Sequence, residues 1–296
     1  MSMNTTTTAL GTRKKSQLRK QAITWSRVGR VIPPAFGVIW LVIGFYPVLF
    51  ILLTSLRSQA GFFSESPWLP TTHPTLSNYT NVLNNGFALD VVNSAFVTVI
   101  SIVLIVIVSL LAAYAISRVR SRFVAVVFSL FLLGLAIPLQ ATIIPLYVII
   151  SGMGLYDSLY ALILPYVAFG IPLSVLILVT YIRDIPQSLF ESMQLDGASN
   201  LRILLRLVIP LSRSALITVV IYQCIQVWNG FLFPLVLTQS PEVRVLPLAL
   251  WSFQGQYGSN IPAIMAAVFL SAVPIILLYI FGRRQLLSGL TAGFSK

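Results

Sequence analysis

Six long apolar stretches dominate this chain of 296 residues, at about 33–56, 90–117, 123–150, 158–182, 211–237 and 261–282. A helix that crosses the hydrocarbon core of a bilayer needs roughly 20 mostly apolar residues, and each stretch reaches that length. The second is rich in β-branched residues from Val97 to Val108, yet it is far too long for a strand. A membrane barrel would instead show alternating segments of roughly ten residues. The pattern predicts an all-α integral membrane protein with six transmembrane helices. The first stretch begins only after about thirty polar residues and exceeds a signal-peptide h-region, so it reads as a retained anchor.

Charge supports that class and gives it a direction. Only 9% of residues are charged and the mean hydropathy is +0.91, against about 25% charged residues in ordinary soluble domains. With six spans both termini share one side. That side holds all but two, Arg57 and Arg244, of the 19 Lys and Arg. The positive-inside rule places it in the cytoplasm. The sequence therefore divides into a basic cytoplasmic tail at 1–32, a membrane domain at 33–282 with a cytoplasmic loop at 184–210, and a cytoplasmic tail at 283–296. The net charge of +12 does not point to nucleic acid, because the basic residues flank apolar spans instead of interleaving with aromatics. Cys224 has no second cysteine to pair with. His73 has no neighbouring imidazole or carboxylate cluster, so no metal site is expected. The spans carry almost no ionisable groups, which disfavours an ion-coupled carrier, and no nucleophile with a partner base, which disfavours a membrane enzyme.

The loop at 184–210 has local structure of its own. Ser188 and Glu191 have the spacing of a capping box, predicting a short helix to about Leu195. Asp196-Gly197 breaks it, since glycine accepts the left-handed conformation that ends helices. Ser199 caps a second short helix through about Val208. Leu201, Leu204, Leu205 and Val208 recur along it at helical spacing, with Arg202 and Arg206 beside them, and Pro210 ends it. Such a helix–turn–helix suits either of two roles: a surface element lying on lipid headgroups or a docking element for a partner.

The same loop resembles the EAA loop of the membrane subunits of binding-protein-dependent ABC importers. Glu191, Asp196, Gly197, Ala198 and Pro210 match that family's pattern at its spacing. Ser192 and Met193 stand where it has two alanines, and Leu207 and Ile209 replace its usual Ile and Leu. Other stretches resemble the maltose-type second permease of the carbohydrate-uptake branch. They include Asn93-Ser94-Ala95, the run from Ala112 to Arg118, Ile137-Pro138, Leu155 to Ser158, Pro165-Tyr166, Trp228-Asn229 and the glycines 289 and 293. The likeness covers about 36–296.

That resemblance implies a type I ABC importer permease for an oligosaccharide or disaccharide, multi-pass in a bacterial or archaeal cell membrane. It implies a second, similar permease, two ATPase subunits that meet the loop at 184–210, and an extracytoplasmic sugar-binding protein. This chain has no phosphate-binding Gly-x-x-x-x-Gly-Lys motif. It would bind no cofactor, with ATP and Mg held by the ATPase partners. Trp228, Asn229 and Phe231 are candidates for the substrate path, helix packing being their other role. The outer loop at 238–260 would reach toward the binding protein, and the tail at 283–296 would lie extended between the ATPases. Rival readings are a permease for another small polar solute, such as a glycerol phosphate ester, and an ion-coupled secondary transporter.

Overall fold

The computed structural model describes residues 33–34, 36–252, 254–255 and 258–291. The basic tail at 1–32 and the last five residues lie outside that range. Apart from one pair of two-residue strands, Gln254–Gly255 and Gly258–Ser259, the described chain is helical.

The first helix, α1, covers Phe36–Ser55. Two short helices follow, α2 (Gln59–Ser64) and α3 (Ser77–Val82). A wide turn at Leu83–Phe87, with Gly86 at φ 83°, leads into α4 (Ala88–Arg118). Next come α5 (Arg122–Gly134), α6 (Ile143–Gly152) and α7 (Leu159–Arg183). The loop region supplies α8 (Gln187–Leu195), α9 (Asn200–Ile203), a π turn at Leu204–Val208 and α10 (Ile209–Leu211). The chain closes with α11 (Arg213–Trp228), α12 (Leu232–Leu237), α13 (Leu246–Ser252) and α14 (Ile261–Thr291).

Among the described residues, three helical runs are individually long and apolar enough to span a bilayer: Phe36–Ser55, Ser77–Arg118 and Leu159–Arg183. The stretch at 123–150, expected as one continuous helix, is broken: Arg122–Gly134 and Leu139–Gly152 meet at 98°. Asn200–Leu211 and Arg213–Trp228 meet at 76°, close to the exit expected at Pro210. The first break has a local cause: Pro138 sits in extended geometry (φ −70°, ψ 127°) and donates no backbone hydrogen bond, so the helix cannot run through it. A further break at Asn229-Gly230 splits the expected span at 211–237 into α11 and α12. Counting each bent pair as one span gives up to five, with Ile261–Leu277 a shorter apolar helix. The tail at 283–291 continues α14 as helix, where an extended segment was expected.

Helices α4 and α7 form the central pair, with α11 and α14 packed beside them. One buried cluster joins the ends of α4, α7 and α11 to the loop helices through Ile116, Ile182, Phe190, Ile203 and Val208. Two others lie toward the opposite end, around Val97, Leu162 and Phe233 and around Phe87, Trp228 and Ala266. Inside the bundle Gln223 donates to the Gly170 carbonyl at 3.0 Å and the Ser174 hydroxyl at 3.1 Å, an interhelical bond of the kind that joins helices in lipid. None of the apolar window of α1 is buried among the described residues. Asn78 of the Asn78-Tyr79-Thr80 sequon is buried. Its amide donates to the carbonyls of Ser55 and Arg57 at 2.8 and 2.6 Å, so the side chain holds the end of α1.

Candidate functional site: an elbow, a cavity and a strap

The loop at 184–210 is a folded elbow between α7 and α11. Helix α8 begins at Gln187 after Pro186, without a side-chain cap. Ser188 therefore lies within its first turn and does not cap it; Pro186 occupies that place because its fixed φ and missing N–H suit a helix start. At the other end the expected turn is present. Gly197 has φ 73°, its N–H donates to the Gln194 carbonyl at 3.0 Å, and the Ala198 N–H donates to the Met193 carbonyl at 2.9 Å. This pair of bonds is a Schellman cap. Ser199 then caps α9, its hydroxyl accepting from the Arg202 N–H at 3.4 Å.

The exit from the elbow departs from the expected pattern. Pro210 lies inside α10, and the chain turns two residues later, at Ser212. The preceding π turn explains this. The Ile209 N–H reaches back five residues to the Leu204 carbonyl, which widens the helix where a proline ring would otherwise press on the turn before it. Ile203, Leu204 and Val208 are buried, whereas Leu201 is 62% and Leu205 53% exposed. Leu195 is 89% exposed, and the carboxylates of Glu191 and Asp196 sit on exposed residues beside it. The elbow is tied to the bundle through Phe190, which is 1% exposed. Arg118 at the end of α4 lies 3.9 Å above the Phe190 ring and donates to the Gln187 side-chain oxygen at 2.6 Å.

Two of the helix breaks, α5–α6 and α11–α12, open onto one cavity of about 400 Å³. Gly134, Leu135 and Ile137 come to it from the α5–α6 break, and Gly230 and Phe231 from the α11–α12 break. Tyr166 and Phe169 of α7 and Tyr222 and Gln226 of α11 complete its aromatic and amide lining. Irregular backbone at membrane depth is tolerated where it is buried in protein or lines a wet cavity. The Tyr166 hydroxyl is buried without a hydrogen-bond partner and packs on Gly230, where any Cβ would collide with it. Of the three residues singled out for the substrate path, only Phe231 lines this cavity. It also lines a smaller one, of about 270 Å³, with Trp228 and Asn229. The Trp228 indole is buried and donates to the Ser271 carbonyl at 3.1 Å; the Asn229 amide donates back to Ile225 at 2.8 Å. Tyr166, Phe169, Tyr222 and Gln226 were missed by the sequence reading. The breakers Gly134, Pro138 and Gly230 inside apolar runs were the available signal.

A family model described as "Binding-protein-dependent transport system inner membrane component" matches residues 105–286. The chain belongs to this family. Like its other members it is an ABC importer permease, a multi-pass inner membrane protein. It is 43% identical to a putative ABC transporter permease protein, ORF2, of Caldicellulosiruptor sp. (strain Rt8B.4), over 88% of this chain and 95% of that one. It is 32% identical to the trehalose/maltose transport system permease protein MalG of Thermococcus litoralis, over 88% and 94% of the two chains. Among solved structures, a bacterial ABC transporter involved in the import of the acidic polysaccharide alginate has the same fold. The TM-score is 0.77 at 24% identity, covering 87% of this chain and 96% of that one.

Two of the sequence stretches shared with maltose-type permeases have a visible job in this permease. They hold a strap at 239–246 across the end of the bundle opposite the elbow. Asp157 sits at φ 58°, and one carboxylate oxygen accepts from the N–H groups of Gln239 and Ser240 at 2.7 and 2.9 Å. The other oxygen accepts from the Ser240 hydroxyl. These bonds, the Ser240 hydroxyl first, hold the Asp157 carboxyl below its ordinary value. Asn93 donates to the carbonyls of Glu242 and Arg244 at 2.9 and 2.8 Å, and the Ser94 hydroxyl accepts from the Leu246 N–H at 2.8 Å.

Proposed function

We propose that this permease is one half of a six-span-per-subunit, type I sugar importer. It would pair with a second permease, receive an oligosaccharide or disaccharide from an extracytoplasmic binding protein, and move with two ATPase subunits that bind the ATP and Mg. The elbow is the observation that carries this reading. Its central turn and the start of α9 are capped by its own residues, it is anchored from below by Phe190, and it presents Leu195, Leu201 and Leu205 outward. Exposed leucines on a preformed cap are a docking surface, and Glu191, Asp196, Gly197, Ala198 and Pro210 all belong to it. The arginines 118, 120, 122, 183, 202, 206 and 213 lie on or beside the elements that gather at this end, which supports a cytoplasmic face with both tails on the same side. The exposed α1 fits a helix that packs on the second permease or in lipid.

The cavity supports a sugar as cargo. Flat aromatic rings and side-chain amides suit a neutral polyol, which offers apolar faces and hydroxyls together. The lining contains no Lys or Arg, which disfavours a phosphate ester. The relative from Thermococcus litoralis is named for trehalose and maltose, in keeping with a disaccharide. Pushing the elbow would shift α7 and α11, which carry the cavity wall, so a rigid-body movement at one end would reopen the other.

The test is uptake of labelled disaccharide into proteoliposomes that hold this chain with its partner permease, ATPase and binding protein. Uptake is expected to require ATP on the elbow side and to survive collapse of ion gradients. Uptake driven by an ion gradient without ATP would refute the reading.

A further inference from the structure

A second groove, of about 610 Å³, lies between the end of α4, the start of α5 and the junction of α7 with α8. Three guanidinium groups line it, Arg118, Arg120 and Arg183, against one carboxylate, Asp184. Arg118 bonds to the Gln187 amide and lies over Phe190. Arg183 lies 5.4 Å above the Phe128 ring. Among the described residues, Arg118 and Arg183 thus meet an amide and two rings and no carboxylate within salt-bridge distance, which leaves positive charge in the groove. Behind the mouth the walls are apolar: Ile116, Val124, Phe128 and Ile182. The Ser117 hydroxyl, in the same lining, is buried with no hydrogen-bond partner. A site with cations at the rim and an apolar lane behind it fits a molecule that is itself an anion joined to a hydrocarbon. Basic pockets between helices at the cytoplasmic membrane surface take anionic headgroups for this reason, and guanidinium suits a phosphate's geometry.

We propose that this groove binds the phosphate headgroup of an anionic inner-leaflet phospholipid, with an acyl chain along Val124 and Phe128. The bound lipid braces α8 of the elbow through Arg118, so coupling depends on the lipid composition of the leaflet. The inference rests on the cytoplasmic orientation proposed above, which is read separately by labelling Ser121→Cys from either side of sealed vesicles.

The experiment uses the complete permease–ATPase complex, delipidated in detergent and titrated with phosphatidylglycerol or phosphatidylcholine under native mass spectrometry. Phosphatidylglycerol is expected to bind once per copy of this chain. The double variant Arg120→Gln/Arg183→Gln should bind it about thirtyfold more weakly, with phosphatidylcholine unaffected. Ala125→Trp, which narrows the acyl lane and leaves every charge in place, should weaken it as well. In vesicles, ATP-driven uptake by the wild-type complex should be higher with phosphatidylglycerol than with phosphatidylcholine alone, and the double variant should lose that difference. Equal binding by all three proteins would overturn the proposal. So would displacement of the lipid by inorganic phosphate alone, which would make the ligand a free anion. Cross-linking of Ser121→Cys to the ATPase with no lipid retained would assign the groove to a protein partner instead.

Discussion

The elbow and the strap sit at opposite ends of the bundle and are held in opposite ways. In the elbow, the bonds that define the shape join residues no more than five apart: Ala198 to Met193, Gly197 to Gln194, Ile209 to Leu204. In the strap, the defining bonds join residues 82 to 152 positions apart, from Asp157, Asn93 and Ser94 to the segment at 239–246. A piece folded by its own caps can move as a unit and keep its shape while it is pushed. A piece held by side chains from α4 and from the turn that leads into α7 keeps its shape only while those elements keep their places. The first suits an element that transmits force. The second suits an element that reports where α4 and α7 are.

Removing the anchor of the elbow should give the largest effect. Phe190→Ala empties a fully buried site, which in folded cores costs about 3–5 kcal/mol, and it takes away the ring under Arg118. The elbow should become protease-sensitive and the ATPase should be lost on purification, while amide exchange in the strap stays as it was. Matching changes at both ends would erase the distinction drawn between them.

Gly197→Val is next. A Cβ at this position meets no described atom within 4 Å, so the intramolecular penalty is the left-handed backbone, about 1–2 kcal/mol. Transport should fall far more than stability, because the turn faces outward. Co-purification and thermal unfolding, measured together, separate the two. A loss of stability that accounts for the whole loss of transport would make the turn structural only.

Asn93→Ala addresses the strap. It strips two carbonyls of their donor, and an unpaired buried polar group costs about 1–3 kcal/mol. Hydrogen exchange across 242–246 should rise while the elbow stays protected. The smallest effect is the pH response of Asp157. Its hydrogen bonds hold the carboxyl below the ordinary 3.8. The clamp is therefore fully present above that value and is lost as pH falls through the lower folded-state value. Exchange at Gln239 and Ser240 should be flat, after correction for intrinsic rates, down to about pH 4 and rise below it. In Asp157→Asn the acid-induced rise should disappear.

This contrast also separates what the sequence revealed from what it did not. Long apolar helices were legible at Phe36–Ser55 and Leu159–Arg183, because hydropathy over twenty residues is a property of the segment itself. The Asp196-Gly197 turn and the Ser199 cap were legible for the same reason: each is a bond between near neighbours. The start of α8 was misjudged although its signal is equally local: Pro186, with no N–H to donate, stands immediately before Gln187, two residues ahead of the expected cap at Ser188. The apolar stripe of the second elbow helix was read only in part: Leu204 and Val208 are buried as its spacing suggested, but Ile203 is buried with them and Leu201 and Leu205 are exposed. Asn93, Ser94 and Asp157 stood out in the sequence only as isolated shared stretches. Nothing near them in the chain announces that they converge on 239–246.

The claim that the elbow is the ATPase-facing end is tested most directly by cross-linking from its most exposed leucine. In the reconstituted complex, Leu195→Cys and Gln239→Cys would each carry a short photoactivatable cross-linker; the one native cysteine, Cys224, is buried. The account predicts that Leu195→Cys captures the ATPase subunit and that Gln239→Cys, on the strap, does not. Capture of the ATPase from the strap, or a Leu195→Cys probe that labels only lipid, would contradict it.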